Sequence, residues 1–160
     1  EFAAEVLEHC KKGGVNTAVE SCLLASREAM EAMLPVTDQF LVDIKFLDPA
    51  LHRMHLGADN RVILENFQWL LAHGARVLVR TPLIPGYTAA EDNIRAIARY
   101  LRKNAPQTPW ELLNFNPLCR GKYAAMEQDY PVSGGSLTQA EMQRFYDILE
   151  QEGIANIVKE

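Results

Sequence analysis

The segment FLVDIKFLDP, Phe40 to Pro49, reads as a buried strand whose end carries Asp43 and Lys45. Side chains two apart on a strand share a face, so the acid and the base point the same way. A charge withdrawn from water is costly unless it is paired or bound. Either the two form a structural ion pair, or the strand end faces a polar site. Three other strand-like runs end in the same manner. Glu20 and Ser21 close VNTAVES, Arg80 follows ARVLV, and Asn114 and Asn116 follow PWELL. Polar residues also gather at strand ends simply because the chain is leaving the core. Four in succession favour a common polar mouth, since ligands of parallel α/β proteins sit at the carboxyl ends of the strands.

Other groups offer less. His52 and His55 are three apart on a short helix and could share a metal, but no third ligand stands at a useful spacing, and exposed histidines are the simpler reading. Cys10, Cys22 and Cys119 contain no Cys-x-x-Cys pair, so they suggest neither a cluster nor a zinc site. Three widely spaced cysteines fit free thiols in a reducing compartment, with the cytoplasm as the default. Lys45 at a barrel strand end could form a Schiff base with a carbonyl substrate, although the neighbouring Asp43 favours its charged form.

The elements that must position these residues alternate along the chain. A helix over EFAAEVLEHCKK is stopped by Gly13 and Gly14, and it lacks a preceding cap, which suggests a piece of a longer protein. The strand VNTAVES leads to the helix SREAMEAML, with Ser26 as N-cap. After DQFLVDIK, Asp48 and Pro49 open a short helix that Gly57 ends. A longer amphipathic helix, DNRVILENFQWLLAHG, precedes the strand ARVLVRTPLIPG. TAAEDNIRAIARYLRKN opens with a predicted capping box, Thr88 with Glu91, and TQAEMQRFYDILEQEG with another, Thr138 with Glu141. PWELLNFNPL and IANIVKE supply the last strands. Such alternation implies parallel strands joined by helical crossovers, in a doubly wound sheet or part of a (β/α) barrel. No G-x-G-x-x-G follows any strand, so nothing specific supports dinucleotide binding. The first and last strands would be open edges, which invite self-association.

The 160 residues suffice for one domain, and 48% hydrophobic with 23% charged residues is a globular composition. A net charge of -5 argues against nucleic acid as partner. No apolar stretch approaches the roughly 20 residues that span a bilayer.

The order of motifs resembles the glycyl radical enzyme activating enzymes of the radical S-adenosylmethionine superfamily, such as pyruvate formate-lyase activating enzyme. The resemblance lies in VDIKFLDPALHRMHLGADNRVILENFQWL, VRTPLIPGYTAAEDNIRAIARYL and LLNFNPLCRGKYAAM, and covers most of the chain from Val15 onward. It implies the C-terminal portion of a partial (β/α)6 barrel, with residues 1–160 as one domain. It also implies that the cluster-binding N-terminal part, with its Cys-x-x-x-Cys-x-x-Cys loop and Gly-Gly-Glu stretch, lies upstream of Glu1. By the same resemblance Asp43, Lys45 and Arg80 line the S-adenosylmethionine pocket and Asn116 lies near the adenosyl group. Glu20 and Ser21 stand near the cofactor and, with Asp43, near a possible monovalent cation. The sequence departs from the family after Ser21, where Cys22 and Leu23 replace a frequent Asn-Gly.

The implied activity is oxidative: a 5'-deoxyadenosyl radical, made by a [4Fe-4S] cluster, takes hydrogen from a glycine of a partner glycyl radical enzyme. A flavodoxin or ferredoxin would supply the electron. This chain alone, lacking cluster ligands, is expected to be inactive. The Schiff-base aldolase and a non-catalytic interaction module are the rival readings.

Overall fold

The computed structural model describes residues 1–159. Five parallel strands form one sheet in the order β1 (Ala18–Ser21), β2 (Gln39–Asp43), β3 (Val77–Leu83), β4 (Trp110–Asn114) and β5 (Ile157–Val158). The helices are α1 (Phe2–Lys12), α2 (Arg27–Met33), α3 (Pro49–Leu56), α4 (Arg61–Ala72), α5 (Glu91–Asn104), α6 (Arg120–Ala125) and α7 (Gln139–Gln151).

Strand order decides between the two architectures left open by the alternation. A doubly wound sheet reverses direction at a switch point, which places helices on both faces. Consecutive order with crossovers of one hand puts them all on one face, and the sheet curls around the other as part of a barrel. Burial follows this asymmetry. In β3, Val77, Val79, Thr81 and Leu83 are buried, while Leu78, Arg80 and Pro82 between them are half-buried. The buried row meets Phe67 and Leu70 of α4 and Ile94, Ile97 and Leu101 of α5 in a single core. Helix α1 buries no residue, and its Phe2 and Val6 are exposed.

Several local expectations change. Strand β3 runs on to Leu83, so Arg80 lies mid-strand rather than at its end. Thr88 does not cap α5: the helix starts at Glu91 after an uncapped Ala90. The Thr88 hydroxyl instead donates to Pro82 O and accepts from Ile84 N–H, closing the turn between Pro82 and Pro85. Thr138 and Glu141 do form their capping box. His52 is buried, not exposed, because Nδ1 bonds Ala58 O at 2.6 Å and folds the following loop over the helix. His55 is exposed but packs between the rings of Phe46 and Tyr87.

At the amino end of the sheet, Asp38 joins α1 to β1. Its carboxylate takes Lys11 Nζ at 2.8 Å and the Thr17 N–H at 2.8 Å. The lysine contact, then the backbone bond, hold its pKa at about 2 against an ordinary 3.8. A depressed folded pKa stabilises the fold above the unfolded value and loses that contribution as pH falls through the folded one. Urea midpoints should therefore drop between pH 4 and pH 2, and Asp38→Asn should flatten that decline while lowering the midpoint at pH 7.

Candidate functional site

The helix-free face of the sheet gathers charge. In register, Asp43 of β2 lies beside Arg80 of β3, which lies beside Glu111 of β4. Arg80 Nε donates to Glu111 Oε2 at 2.7 Å, and its Nη1 lies 3.7 Å from Glu20 Oε1 on β1. Lys45, two residues past the strand, pairs with Asp43 at 2.9 Å. The ion pair and the polar face are thus the same object. Side-chain exposure is 20% for Asp43, 26% for Lys45, 23% for Arg80 and 10% for Glu111, so only Glu20, at 59%, is freely hydrated. Partly desolvated charges attract an incoming ion more strongly than hydrated ones do.

The chain leaving these strands is irregular, and its backbone carbonyls would cost stability if left unpaired. Side-chain amides take them up. Asn66 of α4 donates to Leu23 O and Ala25 O after β1, both at 2.9 Å. Asn60, just before α4, donates to Phe46 O and Leu47 O after β2. Asn93 of α5 donates to Lys45 O at 2.9 Å. The strand exits bearing Lys45 and the β1 turn are therefore fastened by residues on the helices behind the sheet.

The structure brings together four residues that the sequence singled out: Glu20, Asp43, Lys45 and Arg80. Ser21 projects to the opposite face by register, and its Oγ accepts the Leu23 N–H at 3.0 Å. Asn116 lies two residues past β4, its Oδ1 accepting the Leu118 N–H. Asn114 exchanges two hydrogen bonds with the backbone of Leu137 and pins the loop before α7. Glu111 is the member that sequence reading missed. Its signal was an acid inside the apolar run PWELL, the same anomaly that marked Asp43.

The three cysteines are unpaired, and among the described residues no group of three or more His, Cys, Asp or Glu side chains is placed to hold a metal. Among those residues, no helix is long and apolar enough to cross a membrane.

No protein-family model matches the chain. Individual proteins do. Choline trimethylamine-lyase activating enzyme of Oleidesulfovibrio alaskensis is 34% identical over 148 residues, matching 90% of this chain and 48% of that protein. Isethionate sulfite-lyase activating enzyme of Nitratidesulfovibrio vulgaris is 36% identical over 152 residues, 94% of this chain and 49% of that one. Benzylsuccinate synthase activating enzyme of Thauera aromatica is 34% identical over 145 residues, 88% and 44% respectively. The chain is a homologue of the glycyl radical enzyme activating enzymes. It spans about half the length of the curated relatives it matches.

Among solved structures, a domain of pyruvate-formate lyase-activating enzyme from Bacteroides vulgatus superposes with a TM-score of 0.77 at 25% identity, covering 99% of this chain and 90% of that one. Streptococcus suis SuiB, in a structure bound to S-adenosylmethionine, gives 0.73 at 12% identity over 98% of this chain and 36% of that one, a likeness of fold alone. The family resemblance and the partial barrel read from the sequence are both met.

Proposed function

We propose that this chain is the carboxyl-terminal part of an activating enzyme for a glycyl radical enzyme, and that its charged row is the protein side of an S-adenosylmethionine pocket. The carrying observation is the cluster of Glu20, Asp43, Lys45 and Arg80 on the helix-free face of a sheet homologous to such enzymes. The donor set suits the ligand. Glu20, Asp43 and Glu111 set three carboxylates against the two cations Lys45 and Arg80, an excess of one negative charge. S-adenosylmethionine carries one net positive charge, from its ammonium, sulfonium and carboxylate. Lys45 and Arg80 meet the carboxylate, while Asp43 and Glu20 accept ribose hydroxyls or offset the sulfonium. When bound to a reduced cluster, the cofactor supplies a 5'-deoxyadenosyl radical that takes hydrogen from a glycine of the partner. The work of these side chains is orientation and exclusion of water.

A [4Fe-4S] cluster does not fit the residues of this chain, whose cysteines lie on α1, after β1 and before α6. Its ligands belong, on this reading, to the half of the relatives that the chain does not match. The chain alone is then inactive, and a flavodoxin or ferredoxin reduces the complete protein. The aldolase reading is not favoured: the relatives are activating enzymes, and Lys45 Nζ is engaged by Asp43 at 2.9 Å. Edge pairing through β1 or β5 remains a property of the isolated sheet.

Calorimetric titration of the chain with S-adenosylmethionine tests the pocket. Binding should occur, and Asp43→Ala should weaken it by about tenfold, the worth of one hydrogen bond to a charged group. Unaltered binding in that variant would remove the row from the pocket. The complete protein, loaded anaerobically with iron and sulfide, should yield 5'-deoxyadenosine and a glycyl radical signal on its partner. The same treatment of this chain should yield neither.

A further inference from the structure

Glu111 is the most buried charge of the row, and the recognition described above gives it no ligand to touch. A guanidinium presents five N–H donors in one plane. A bond at Nε, the donor nearest the chain, fixes the rotation of that plane and leaves the terminal nitrogens for another partner. Glu111 Oε2 makes this bond at 2.7 Å. The terminal edge meets a looser contact: Glu20 stands 3.7 Å from Nη1, beyond hydrogen-bond length, on a side chain that is 59% exposed.

We propose that Glu111 is a positioning residue that locks the Arg80 plane through Nε, so that its Nη edge is held out to the carboxylate of the bound ligand. Glu20 is the exchangeable occupant of that edge and yields it on binding. The identity of the ligand rests on the S-adenosylmethionine reading.

Two comparisons separate positioning from simple charge: glutamine against methionine at position 111, and S-adenosylmethionine against its decarboxylated analogue. By charge alone, removing Glu111 takes away the row's excess negative charge, so both variants would weaken binding of the net cationic ligand alike, and of the more cationic analogue further. If Glu111 positions Arg80, methionine loosens binding of S-adenosylmethionine and glutamine does not, because the freed guanidinium must be ordered anew at an entropic cost.

The test titrates S-adenosylmethionine and its decarboxylated analogue into the wild-type chain, Glu111→Gln, Glu111→Met and Arg80→Lys. Arginine Nε–H resonances are followed in parallel by nitrogen-15 NMR. Arg80 and Arg99, whose Nε donates to Glu152 at 3.0 Å, should both give slowly exchanging Nε–H signals in the wild type. The Arg80 signal, identified by its absence from Arg80→Lys, should be lost in Glu111→Met and kept in Glu111→Gln, whose amide oxygen still accepts. Affinity for S-adenosylmethionine should fall about tenfold in Glu111→Met and be largely kept in Glu111→Gln. Arg80→Lys, which keeps the charge but loses the plane, should show the same fall, and equal binding of the decarboxylated analogue to Glu111→Met and Glu111→Gln shows that the methionine variant is folded. The decarboxylated analogue should bind Glu111→Met as it binds Glu111→Gln, and Arg80→Lys as it binds the wild type.

Equal or tighter binding of S-adenosylmethionine to Glu111→Met, or survival there of the Arg80 Nε–H signal, overturns the positioning role and leaves the pocket reading intact. Wild-type chain that binds neither compound overturns the pocket reading and the ligand assignment with it, while the NMR signal still decides the lock.

Discussion

Leu23→Gly is expected to be at least as stable as Leu23→Ala, the reverse of the usual order. Glycine is ordinarily worse than alanine by about 0.5–1 kcal/mol inside regular structure, because it loses more backbone freedom on folding. At Leu23 the backbone has φ 60°, in the left-handed region, where a residue with a Cβ is strained by roughly 1–2 kcal/mol. The side chain is fully buried in the core, so either substitution should cost about 2–5 kcal/mol relative to leucine. Burial and three polar contacts hold the strained turn: Ser21 Oγ accepts the Leu23 N–H, and Asn66 binds Leu23 O and Ala25 O. Here one residue both takes the left-handed turn and fills the core. Urea denaturation of the two variants decides the matter. Alanine ahead of glycine by the ordinary margin would mean that the turn carries no strain.

The parts of this molecule that could be read from sequence are those where one residue type has one physical meaning. Asp48-Pro49 with Gly57, and Thr138 with Glu141, marked helix boundaries that the structure reproduces, because caps satisfy backbone groups locally. Thr88 carries the same pattern as Thr138 and caps no helix. A hydroxyl bonds whatever backbone group is nearest, and the prolines at 82 and 85 offered it a turn instead of a helix end. The charged face was legible at Asp43 and Lys45, since period two fixes their common side. Glu111 was not, because its partner Arg80 lies 31 residues earlier and only strand register brings them together. Nor could the amide clamps be found: Asn60, Asn66 and Asn93 look like ordinary polar positions of amphipathic helices, and their targets are carbonyls in distant turns. Ser21 and Asn116 show the converse, residues whose matching type gave a role by resemblance while the local backbone takes up their oxygens.

Thr81→Val should destabilise the protein by about 2–4 kcal/mol, with Thr81→Ser close to wild type. Thr81 is fully buried on the helix side of β3. Its Oγ1 donates to Ile44 O at 2.8 Å and accepts from Trp110 Nε1 at 3.0 Å. Valine keeps the shape but leaves a buried carbonyl and a buried indole N–H unpaired, at roughly 1–3 kcal/mol for each group. The consequence reaches the opposite face. Ile44 lies between Asp43 and Lys45, and Trp110 directly precedes Glu111, so this hydroxyl ties the backbone beside Asp43 and Lys45 to the side chain of the residue before Glu111. Thr81→Val should therefore also weaken S-adenosylmethionine binding at temperatures well below its unfolding midpoint, although no atom of Thr81 faces the ligand. Serine keeps both hydrogen bonds and loses only a methyl group, so it should keep the affinity. Calorimetry on Thr81→Val at 10 °C, beside its thermal denaturation, separates the two effects. Affinity that stays at the wild-type value while stability falls would mean that the row is fixed by its own ion pairs rather than by the strands beneath it.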